Sequence, residues 1–90
     1  MNTIEKIDYG ILSIETIIII FGDEMTYNEL NKIKNKYETI DLLIEYNRNS
    51  KTQLVRVYFN NNEVMDKKYD INHSCDMFYH LSELESRIDN

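Results

Sequence analysis

The sequence predicts an α+β protein: a small antiparallel sheet of three to four strands with helices covering one face. Three observations carry this. Residues 39–46 and 52–59 both alternate apolar and polar side chains, the period of a half-buried strand, across a polar Asn47-Arg48-Asn49-Ser50 turn. Thr26-Tyr27-Asn28-Glu29 spells a capping box ahead of Leu30, Ile33 and Tyr37 at helical spacing. Met77, Phe78, Leu81, Leu84 and Ile88 fall on one apolar stripe of a last helix. Ninety residues without a glycine- or proline-rich linker suit a single domain, 1–90.

Residues 3–20 admit two readings. Ile4, Ile7, Ile11, Ile14 and Ile18 recur at helical spacing, which allows one helix ended by Gly22. Gly10 costs such a helix roughly 1 kcal/mol against alanine. The rival is a short helix over 3–9 and a strand over 14–21, favoured by the β-branched density of Ile17 to Ile20. A strand of that composition is apolar on both faces. It predicts a homodimer through Ile14–Phe21, or a patch that a partner covers.

The next segments are clearer. Gly22 to Met25 is a turn, and the capping box opens a helix over about 27–37 whose outer face carries Lys32, Lys34 and Lys36. A meander over 39–69 follows. Pairing Ile44 with Val55, Leu42 with Val57 and Ile40 with Phe59 puts all six on the core side. It also sets Arg56 across from Leu43, in diagonal reach of Asp41 and Glu45. Asn60-Asn61-Asn62 reads as a three-residue loop, which brings Met65 to Val57 and Asp66 to Arg56. Lys67 and Lys68 mark 63–69 as a protected edge strand. The last helix spans about 74–88, capped by Asn72 or Ser74.

Several chemistries are not supported. Neither glycine lies in a phosphate loop. Asp76, His80 and Glu83 share a helix face at metal-ligand spacing, with His73 nearby, but no second ligand cluster joins them. His73 and Cys75 are too isolated for a nucleophile and base. The expectation is a non-enzyme with no cofactor and no metal. Cys75 is the sole cysteine, so no intrachain disulfide can form, and a reduced, cytoplasmic protein is expected. Met1 to Lys6 lacks a basic leader, and Ile17–Phe21 is too short to span a bilayer.

The net charge of −6 is unevenly spread. Residues 1–31 carry −5, residues 32–68 carry +3 and residues 69–90 carry −4. An acidic whole disfavours non-specific binding to membranes and nucleic acid, and favours a basic protein surface or simply solubility. The candidate partner-binding residues are Asp23 and Glu24 in the turn, then Asp70, Asp76, Glu83 and Glu85 around the last helix. Tyr79 joins them, because an outward tyrosine offers area and a hydrogen bond at low entropic cost.

Two resemblances follow from these segments. Gly22 to Leu30 after an apolar stretch resembles the first turn of winged helix-turn-helix domains. That would make 38–47 a recognition helix and 52–69 a wing. Its exposed residues would be Glu38, Asp41 and Glu45, which phosphates repel, so direct DNA binding is not expected. The small acidic chain, its three-stranded meander followed by a helix, and the segment Thr52-Gln53-Leu54-Val55-Arg56-Val57 are similar to phage-encoded type II-A anti-CRISPR inhibitors. That resemblance implies carboxylates standing in for phosphates in a nuclease's nucleic-acid channel. A strand over 38–46 separates the second reading from the first.

Overall fold

The computed structural model describes residues 3–88. In chain order the elements are β1 (Thr3–Ser13), α1 (Ile14–Phe21), α2 (Tyr27–Lys36), β2 (Thr39–Arg48), β3 (Thr52–Phe59), β4 (Asn62–Asp70) and α3 (Asp76–Ile88). The strands form one antiparallel sheet in the order β1-β2-β3-β4, so the α+β class holds. Residues 39–48 are strand, and there is no recognition helix for a winged-helix domain to use. The chain divides into two compact units. A sheet unit takes the residues up to Gly10 with Asp41–His73, and a helical unit takes Ile11–Ile40 with the residues from Ser74 on.

In the sheet unit one face is buried. Leu42, Ile44 and Tyr46 of β2 alternate with half-buried neighbours, and Gln53, Val55, Val57 and Phe59 of β3 do the same. Each fully buried aliphatic side chain contributes roughly 1.5–3 kcal/mol through removal of apolar area from water. The register of β2 on β3 differs from the expected one by two residues: Ile44 lies across from Val57, Leu42 from Phe59 and Tyr46 from Val55. The cause is the position of the turn, which centres on Ser50 and Lys51, one residue later than the expected pairing requires. Asn49 donates its amide to the Thr52 carbonyl at 2.9 Å, and its side-chain oxygen accepts from the amides of Lys51 and Thr52, each at 2.8 Å. A slip of two keeps every side chain on its own face, so the core set survives the error.

The β3–β4 register is as expected, with Met65 across from Val57 and Asp66 across from Arg56. The route to it differs. Asn60 and Asn61 both have positive φ, 52° and 71°, and form a two-residue loop closed by Phe59 and Asn62. The ladder then shifts between Val57 and Tyr58, which skips Val64 and restores the register of a three-residue loop. β4 is an edge strand, as Lys67 and Lys68 suggested.

β1 replaces the helix expected over 3–9. Its alternation reverses at Gly10, where φ is +80°: Tyr9 is buried, Ile11 is exposed and Leu12 is half-buried. A glycine with positive φ inside a strand is the signature of a bulge. The Asp8 carboxylate holds it by accepting from the Gly10 amide at 2.9 Å. The Tyr9 and Tyr46 hydroxyls meet at 3.0 Å, so these buried polar tips satisfy each other.

In the helical unit, Ile14–Phe21 is a helix and not a strand, and the single helix over 3–20 also fails. Ser13 decides the boundary. Its hydroxyl accepts from the Thr16 amide at 3.3 Å as an N-cap, and Glu15 sits in the first turn. Ile14, Ile17, Ile20 and Phe21 are buried, while Ile18 is half-buried and Ile19 is 62% exposed. The apolar run is therefore mostly consumed within the fold. α1 packs on α2 and α3. At Gly22 an added Cβ would lie 2.7 Å from the Ile18 carbonyl oxygen, so the helix end accepts only glycine without moving backbone.

α2 has the capping box the sequence spells. The Thr26 hydroxyl accepts from the Glu29 amide at 3.2 Å, and the Glu29 carboxylate accepts from the Thr26 amide at 2.9 Å. α3 starts at Asp76, two residues later than expected, and its cap position falls to Cys75 in place of Asn72 or Ser74. Met77 and Leu81 are its buried residues, and Ile88, placed on the apolar stripe, is half exposed.

Candidate partner-binding surface

The two units differ sharply in charge. The sheet unit has seven acids and six bases, a net −1, and the helical unit has nine acids and four bases, a net −5. On the sheet's exposed face the charges cancel in a row. Lys6 reaches Glu45 at 3.9 Å, Glu45 reaches Arg56 at 3.5 Å and Arg56 reaches Asp66 at 3.2 Å. One charged residue from each strand takes part, with alternating sign. The bond to Asp66, then its charge and that of Glu45, hold the Arg56 guanidinium above its ordinary value.

Within the helical unit the three lysines of the middle segment all lie on α2, where Lys32, Lys34 and Lys36 are exposed. The carboxylates lie elsewhere. Asp76 and Glu83 are exposed on α3, with Glu85 half-buried on the same helix. Asp23 is exposed and Glu24 half-buried in the turn after α1, where the amides of Glu24 and Met25 bond the Phe21 carbonyl at 2.9 and 3.1 Å. Asp70 belongs to the sheet unit at the end of β4, where its side chain accepts from the Asn72 amide at 2.9 Å. Six of the seven candidate residues thus fall in one unit and the seventh in the other.

Tyr79 and Glu83 stand one helical turn apart and act together. The hydroxyl of Tyr79, itself 63% exposed, donates to the Glu83 carboxylate, and that bond and the carboxylate's charge raise the phenol above its ordinary value. Beside them α1 and α3 leave a groove of about 130 Å³, with Ile19, Ile20 and Leu84 as its apolar lining and Thr16, His80, Glu83 and Arg87 as its polar lining. Sequence reasoning placed Glu83 there but missed the groove. Its signal was the exposed Ile19, visible only once 14–21 is read as helix.

Among the described residues no three His, Cys, Asp or Glu side chains gather as a metal site, and no helix is long and apolar enough to cross a membrane. The arrangement defines a class by its surface: a small α+β protein whose helical unit concentrates negative charge next to a groove. Comparison with protein families, curated proteins and solved structures finds no match to this chain.

Proposed function

We propose that this protein is a non-enzymatic, acidic inhibitor that acts in the cytoplasm by binding another protein's basic, nucleic-acid-binding surface. The observation that carries the reading is the charge of the helical unit, −5 against −1 for the sheet unit, with Asp76, Tyr79 and Glu83 exposed along α3. Carboxylates in that setting meet lysines and arginines that otherwise hold phosphates, and the summed field steers the encounter. The half-buried Glu24 and Glu85 play a smaller part than Asp23, Asp76 and Glu83. Asp70, already bonded within its turn, is peripheral.

The partner class that the acidic surface and the resemblance of the Thr52–Val57 segment of β3 point to is a host defence nuclease, with a type II-A CRISPR nuclease bound to its guide RNA as the first case. The test is target-duplex binding by that nuclease in the presence of increasing amounts of this protein. Competitive loss of DNA binding, relieved by added salt, supports the reading. Undiminished binding at large molar excess removes this partner.

A further inference from the structure

The two edges of the sheet are built differently. Both carry charge and a bulge, but β4 sets two cations side by side, Lys67 and Lys68, beyond its bulge at Val64, whereas the charges of β1 before its bulge at Gly10, Glu5, Lys6 and Asp8, are of both signs. β1 has eleven residues, no proline, and no strand on its outer side among the described residues. Its Ile4 is 63% exposed and the Lys6 side chain 64% exposed. Such an edge is a template for another extended chain.

The stretch Ile4-Glu5-Lys6-Ile7-Asp8-Tyr9-Gly10 is complementary to itself. Antiparallel pairing of two copies with Ile7 opposite Ile7 sets Lys6 of each against Asp8 of the other. It also sets Ile4 against Gly10, which has no Cβ. Registers that keep the exposed faces of both copies on one side differ by steps of two in the paired numbers. The neighbouring ones are centred on Glu5, Lys6 or Asp8, and each places like charges directly opposite, which destabilises the pair. The charge row across the sheet points the same way. It runs Asp66, Arg56, Glu45, Lys6 and stops at the β1 edge on an exposed cation. Asp8 of a second copy continues the alternation.

We infer that two copies of this chain join through β1, antiparallel and centred on Ile7, to make one continuous eight-stranded sheet. The interface uses residues 4–10, which belong to the sheet unit.

Sedimentation over a concentration series tests it. The unmodified chain dimerises. Lys6→Asp or Asp8→Lys alone weakens the dimer at least about tenfold, because both charge pairs become like pairs at once. The combined double variant restores it. Circular dichroism checks that each variant folds. Hydrogen exchange of the unmodified chain gives an independent measure, with the amides of β1 slowing as concentration rises. A monomer throughout the series, a dimer indifferent to both single swaps, or β1 exchange independent of concentration overturns the proposal.

Discussion

Thr26 shows how one side chain sets an element. Its hydroxyl and the Glu29 carboxylate close a reciprocal pair over the first turn of α2, a helix with no buried residue of its own. Thr26→Ala should therefore cost about 1 kcal/mol, read as a lower midpoint in urea unfolding. Asn60 and Asn61 both adopt positive φ but are not equivalent. The Asn60 side chain accepts from the Asp41 amide at 2.9 Å, and its own amide donates to the Asp41 carbonyl. Asn61→Gly should be neutral or slightly stabilising, since glycine reaches positive φ without penalty. Asn60→Gly should destabilise by roughly 1 kcal/mol, because it leaves the Asp41 amide without its partner. Equal melting temperatures for the two variants would count against that distinction. At Tyr79 the sign follows from the raised phenol: its bond to Glu83 is fully present below the ordinary phenol range and is lost as the pH rises through the raised value above it. Removing the charge with Glu83→Gln should lower the midpoint of the Tyr79 ring signals in an NMR titration.

At the scale of elements, legibility tracked how local the deciding interaction is. The capping box of α2, the apolar stripe of α3 and the alternation of β2 and β3 are written in neighbouring residues, and all appear close to where they were expected. The β3–β4 register also emerges, because a two-residue loop plus a bulge at Val64 gives the same pairing as the expected three-residue loop. Residues 3–21 were inverted. The isoleucines at helical spacing lie partly in a strand, and the β-branched run lies in a helix. β-Propensity lost to two local facts: the Ser13 cap and a helix face that buries Ile14, Ile17, Ile20 and Phe21 together. Positive φ at Gly10 broke the alternation that would have revealed β1. The burial on α1 gives its own expectation. Ile17→Ala should cost about 2–5 kcal/mol and Ile19→Ala under about 0.5, since Ile17 is fully buried and Ile19 mostly exposed. Comparable losses in thermal unfolding would contradict the burial pattern. Of the candidate site, the exposed acids of α3 were legible as residues off its apolar stripe. The groove was not, because it needs α1 and α3 placed together.

For the molecule as a whole, charge is partitioned by unit and, within the helical unit, by helix. The exposed face of the sheet neutralises itself across four strands, so its electrostatic reach is short. α3 and the turn after α1 carry exposed carboxylates, and α2 carries exposed lysines. A partner with a basic channel should therefore respond in opposite directions to two charge reversals. Changing Asp76, Glu83 and Glu85 together to lysine replaces three negative charges on α3 with three positive ones and should abolish inhibition. Changing Lys32, Lys34 and Lys36 together to glutamate should leave inhibition intact or strengthen it. Glu85 is half-buried, so the double variant of Asp76 and Glu83 serves as the control that changes only exposed side chains. Exposed charges are screened beyond about 8 Å at physiological ionic strength, so the association rate of the unmodified protein should fall as salt rises. The double variant should show the opposite slope or no binding. Matching circular dichroism spectra would establish that all variants fold. If the lysine-to-glutamate triple loses inhibition while the acidic double keeps it, α2 is the working surface and phosphate mimicry is wrong.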